Sequence, residues 1–136
     1  MISAWPIVPL STIFRALNAG VSVNGSDEAT GSEIGVLKVS CVRQGRFLAS
    51  ENKRVVAQDI GRVAVSPRRG DIIISRANTP ELVGASGYVE KDYPNLYLSD
   101  KLWRAVMAEP AIDEGRWLVA LLNSDQLRRE LRCRAT

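Results

Sequence analysis

The 136 residues contain no histidine. This excludes the Ser-His-Asp triad, the Cys-His pair, histidine metal sites and the commonest general base near neutral pH. There are two cysteines, Cys41 and Cys133, far apart and in no CxxC or Cys/His spacing. Their placement argues against a zinc site and a disulfide framework and fits a reducing compartment. No GxxxxGK[ST] loop is present to cradle phosphates, no GxGxxG follows a strand-like run, and no carboxylate pair has a recognisable glycosidase context. The doublets Asp27-Glu28 and Asp113-Glu114 read as surface charge. Long apolar runs are missing as well: none nears the ~20 residues of a membrane span, and the N-terminus lacks a signal-peptide pattern. Carboxylate or lysine chemistry survives in principle. The expectation is a soluble, cytoplasmic protein with no metal, cofactor or membrane partner.

What is present is the composition of a folded domain. The chain is 46% hydrophobic and 24% charged, and its length suits one domain over 1–136 that can bury a core unaided. The net charge of +3 permits a polyanionic partner without demanding one. Lys38, Arg43, Arg46, Lys53, Arg54, Arg62, Arg68, Arg69 and Arg76 crowd the middle of the chain. A local basic face and a scatter of solvated charges both remain open.

Along the chain, Leu10, Ile13, Phe14 and Leu17 recur at helical steps between Ser11 and Gly20, predicting a short amphipathic helix after an extended lead-in through Trp5, Pro6 and Pro9. Val21 to Gly35 is polar and aperiodic and reads as a long loop. Val36 to Val42 predicts a strand, Gln44-Gly45 a tight turn, and Arg46-Phe47-Leu48 a returning strand. On that strand Lys38 and Ser40 would share a face, exposed or simply wet. Ile60 to Val65 reads as a weak strand, and Ile72-Ile73-Ile74 as one buried on both faces. Leu82 to Val89 returns, a further strand lies within Leu96 to Met107, and two helices follow Pro110. The second helix is capped by Ser124 or Asp125 and is basic through Arg128, Arg129, Arg132 and Arg134. Cys41 is read as a small buried side chain, and Trp103 and Trp117 as core residues.

The richest stretch is RRGDIIISRANTPELVG, Arg68 to Gly84. An arginine can contact guanine O6 and N7, an asparagine adenine N6 and N7, and a serine or threonine either base edges or phosphates. Arg76, Asn78 and Thr79 supply these types at one strand end. Lys38, Ser40, Arg43, Arg46, Arg68 and Arg69 complete the candidate DNA-binding set, the cations by neutralising phosphates. The alternative is structural: Arg76 pairs with an acid such as Glu81, and Asn78 and Thr79 shape the turn before Pro80.

The order GDIIISRANTPELVG (Gly70 to Gly84), then YVEKDYPNLYLSDKLWRAVM (Tyr88 to Met107), resembles the target recognition domains of the DNA specificity subunits of type I restriction-modification systems. WPIVPLSTIFRALNAG (Trp5 to Gly20), GVLKVSCVRQGRF (Gly35 to Phe47) and WLVALLNSDQLRREL (Trp117 to Leu131) resemble the family's opening, first strand and closing helices in the same order. The resemblance implies an α+β fold of the DNA methylase specificity domain type, with a mixed, strongly twisted β-sheet core, an N-terminal short helix and C-terminal helices. It implies a non-catalytic module that reads half of a split site on double-stranded DNA. Its partners would be a DNA methyltransferase subunit, a restriction subunit, and a second recognition chain or second copy. The chain would stop short of the family's closing recognition segment and spacer helix. Two other functions stay open: the recognition portion of a single-chain adenine methyltransferase or restriction enzyme, and a protein-interaction fragment that no longer binds DNA.

Overall fold

The computed structural model describes residues 13–26, 33–76, 84–108 and 112–134, leaving aside the side chains of 112–114, 130–132 and 134. In chain order the strands are β1 (Phe14–Ala19), β2 (Gly25–Ser26), β3 (Gly35–Leu37), β4 (Val42–Arg43), β5 (Arg46–Phe47), β6 (Asn52–Val55), β7 (Ile72–Ser75), β8 (Ser86–Tyr88), β9 (Leu96–Tyr97) and β10 (Leu102–Met107). Helices α1 (Ile112–Leu122) and α2 (Asp125–Arg134) follow.

Side chains alternate along a strand, so three consecutive isoleucines need cover on both faces. The fold provides it. β7 lies inside an antiparallel sheet of order β1-β10-β7-β8, with Ile72 opposite Ala105 and Ile73 opposite Arg104. On one face, Ile72, Ala105 and Met107 pack under Leu118, Val119 and Leu122 of α1. On the other, Ile73 and Leu102 pack with Leu37, Cys41, Val42, Val89 and Leu98. Ile72 and Ile73 are both 0% exposed, and burying such a side chain is worth about 1.5–3 kcal/mol. An edge position could not return that, which is why this run occupies the sheet interior.

A second sheet, of order β2-β6-β3-β9, contributes Leu37 and Leu96 to the latter core. It is mixed, because β3 pairs with β6 antiparallel and with β9 parallel. β4 and β5 form a separate hairpin. The α+β class and the two C-terminal helices agree with expectation, as do the buried β7 and the buried Cys41. At the junction of the helices, Ser124 caps α2: its Oγ accepts the Leu127 N–H at 3.4 Å.

Five expectations are overturned. Of the N-terminal short helix read across this segment, Ile13 is helical and residues 14–19 form β1, while residues 10–12 lie outside the described region. The four apolar positions fit either period over so short a span, and six-residue β1 gains a full antiparallel partner in β10. Leu17, meant for a helical core face, is 51% exposed. The loop across Val21 to Gly35 contains β2, paired with β6 through Gly25 and Ser26. The strand expected from Val36 to Val42 is broken by a 3-10 turn at Val39–Cys41. The Ile60 to Val65 strand is replaced by a 3-10 helix over Ala57–Arg62, anchored by buried Asp59, whose Oδ2 accepts the Asn24 N–H at 2.8 Å. Trp117 also departs from expectation: it lies 63% exposed on α1, beside Leu121 at 39%. No described helix is long and apolar enough to cross a membrane.

Candidate functional site

Two turns and one strand end carry most of the candidate cations. The first turn is the β4-β5 hairpin. Gln44 and Gly45 have φ of 52° and 77°, the pair of positive values that a two-residue hairpin loop needs to match strand twist. The turn sets Arg43 directly across from Arg46, both exposed. Like charges facing each other across a strand pair repel, and an anion held between them would relieve that repulsion.

The hairpin is seated on edge strand β8 through a glycine. A Cβ on Gly87 would lie 2.7 Å from Arg46 C and Phe47 N, so only glycine admits so close a backbone. A strand Cβ projects from the sheet face, so the hairpin packs on the face of β8 at this glycine.

The second turn spans 68–71. Asp71 Oδ2 accepts the Arg68 N–H at 2.8 Å and the Arg104 Nε–H at 2.6 Å. The Asp71 N–H donates to Arg68 O at 3.0 Å. Asp92 Oδ1 accepts the Arg69 N–H at 2.9 Å, and the Gly70 N–H donates to Val89 O at 2.9 Å. The backbone is thus held by four hydrogen bonds while the Arg68 and Arg69 side chains face solvent. Burial pushes the Asp71 carboxyl above its ordinary 3.8, with the Arg68 N–H and the Arg104 charge pulling it back.

The strand end carries Arg76, whose guanidinium lies 5.5 Å from the Trp103 ring centre. Trp103 is the cross-strand neighbour of Ile74, and Arg76 shares that face two residues on, so the stacking follows from register. The Arg76 N–H donates to Lys101 O at 2.9 Å. Trp103, expected in the core, is half-buried beneath this cation.

The candidate residues do not form one cluster. The four residues of β7, roughly 14 Å at about 3.4 Å per residue, stand between the turn of Arg68 and Arg69 and the strand end of Arg76. Arg46, Arg68 and Arg69 gather near residues 88–93. Lys38 and Ser40 do not alternate on a common strand face, because the chain coils at Val39–Cys41; the Lys38 N–H donates to Glu51 O at 2.9 Å. Asn78, Thr79 and Glu81 lie outside the described residues.

Sequence reasoning passed over two cations at this surface. Lys91 Nζ lies 5.3 Å from the Tyr93 ring centre. Arg116 lies 5.8 Å from the Tyr88 ring centre and bonds Glu90 Oε1 at 3.0 Å. Lys91, two residues before Tyr93, carried a local signal. Arg116, on α1 and far along the chain from Arg46, carried none.

No protein-family model matches the chain. Among curated proteins it is 32% identical over 102 residues to the "Type I restriction enzyme EcoEI specificity subunit" of Escherichia coli. The match covers 74% of this chain and 17% of that protein, so the chain spans a small part of the relative's length.

Proposed function

We propose that this chain is a non-catalytic DNA-recognition module of a type I restriction-modification specificity subunit, with a DNA methylase specificity domain-like fold. The observation that carries the reading is the similarity over 74% of the chain to a protein described as such a subunit. The geometry supports it. Arg43 and Arg46 on the hairpin and Arg68 and Arg69 on the pinned turn are exposed cations on fixed backbone, suited to phosphates and to setting register on a duplex. Arg76, braced on Trp103, is the best placed of the described candidates to read a base edge, and Asn78 and Thr79 follow it in sequence. The partners of this reading are double-stranded DNA, a methyltransferase subunit and a restriction subunit, and a second recognition chain or copy that reads the other half-site.

The test is selection of bound duplexes from a random-sequence library, with and without a candidate methyltransferase subunit, at two salt concentrations. Enrichment of a half-site, weakened by salt, is expected. Absence of binding under all four conditions would overturn the reading.

A further inference from the structure

Between the hairpin, the 88–93 segment and α1 lies an open pocket of about 350 Å³, whose lining includes Arg46, Phe47, Tyr88, Glu90, Tyr93 and Arg116. Its size falls within the ~300–1,000 Å³ of pockets that enclose small molecules. Three of its walls are aromatic. Phe47 and Tyr93 meet edge to face, with centroids 5.4 Å apart, and the Tyr88 ring lies under the Arg116 guanidinium. Arg46 and Arg116 enter from opposite elements, and Lys91 sits over the Tyr93 ring. A duplex is too wide for this space; a single planar ring with an attached anion fits it.

We propose that the pocket binds one nucleotide, the base stacked among Phe47, Tyr88 and Tyr93 and the phosphate held by Arg46 and Arg116. Stacking on aromatic side chains tolerates any base. Glu90, which accepts from Arg116, has further acceptor capacity for an exocyclic amine, favouring cytosine or adenine. The nucleotide is either one turned out of a bound duplex or a free mononucleotide. The first source rests on the DNA-recognition reading above; the second does not.

The test compares the whole chain on a fully paired duplex, on the same duplex with one unpaired 2-aminopurine nucleotide, and on free dCMP and dAMP. Roughly tenfold tighter binding of the bulged duplex, with quenching of the 2-aminopurine, is expected of an extruded nucleotide. Arg116→Ala, at an exposed helix position, should abolish that preference. Saturable binding of dCMP or dAMP, lost in Arg116→Ala, without any bulge preference assigns the pocket to free nucleotide. Equal affinity for both duplexes with no mononucleotide binding would overturn the pocket while leaving DNA recognition standing. No binding to any of the ligands would remove both.

Discussion

Arg104 Nε donates to Asp71 Oδ2 at 2.6 Å beneath the turn that carries Arg68 and Arg69. The contact is a product of register. Asp71 lies two residues before Ile73, on the same side of the strand, and Arg104 is the cross-strand partner of Ile73. One step of slippage would put carboxylate and guanidinium on opposite faces of the sheet.

Removing the cation should therefore be costly, and the cost should depend on pH. Arg104→Leu leaves a buried carboxylate without its partner, a loss of about 3 kcal/mol at neutral pH. The Asp71 carboxyl already sits above 3.8 when folded, so the folded state binds this proton more tightly than the unfolded state and stability falls as pH rises through the interval above 3.8. Without Arg104 that fall should steepen. Urea denaturation at pH 4 and pH 7 measures it; parallel pH slopes for variant and wild type would refute the coupling.

Cys41 and Cys133 should differ in reactivity. Cys41 is fully buried, and its thiol is pushed up to about 12, first by burial and then by the charge of Glu51; Cys133 is exposed. A thiol-reactive chromophore at pH 8 should label one cysteine quickly and the other only as denaturant unfolds the chain, since the thiolate is the reactive form. Rapid labelling of two thiols in the native protein would contradict the packing around Cys41.

Asn123 ties the end of α1 to β8. Its Nδ2 donates to Ser86 Oγ at 2.8 Å and to Val119 O at 2.7 Å, and its Oδ1 accepts the Ser86 N–H at 3.4 Å. Asn123→Ala leaves the buried Ser86 groups unsatisfied and should destabilise by about 1–3 kcal/mol, read as a lowered Tm. An unchanged Tm would mean that solvent replaces these bonds.

Gly87→Ala should unseat the hairpin. The added methyl would meet the backbone of Arg46 and Phe47 at 2.7 Å, and such overpacking costs about 1–3 kcal/mol. If the hairpin grips phosphates, the variant should also lose affinity on every DNA sequence alike. Anisotropy titrations on several duplexes separate that uniform loss from a change of preference.

Arg76→Ala and Arg68→Ala should part in DNA binding. The stacking of Arg76 on Trp103 is worth only about 0.5–1 kcal/mol at an exposed site, so the fold should tolerate its removal. Sequence preference should relax in Arg76→Ala, and in Asn78→Ala if that residue also reads a base. Arg68→Ala should weaken all sequences and reduce the dependence of log affinity on log salt by about 0.9. Uniform losses for all three variants would dismiss the base-reading role.

Several features were legible locally because their causes are local. An all-isoleucine run needs cover on both faces wherever it falls, Gln44-Gly45 suits a two-residue turn, and Ser124 stands where a helix start needs an acceptor. The segment Phe14–Ala19 is ambiguous in the sequence because its few apolar residues fit both periods, and the deciding partner, β10, lies far along the chain. Trp117 is outside the core because an apolar residue on an amphipathic helix need not face it, and here Leu118, Val119 and Leu122 already fill it.

The sequence by itself determined the chemical repertoire and the strongest elements. With no histidine there is no imidazole chemistry, and β7 and the C-terminal helices follow from side chains within a few residues of one another. Only the tertiary structure decided which charges act together. It pinned the turn of Arg68 and Arg69 to Val89 and Asp92, set Arg76 on the Trp103 ring, and brought Arg116 on α1 to the same pocket as Arg46 on the hairpin. The reason is physical: hydrophobic period and turn chemistry act over a few residues, whereas strand register and helix docking join segments far apart in the chain.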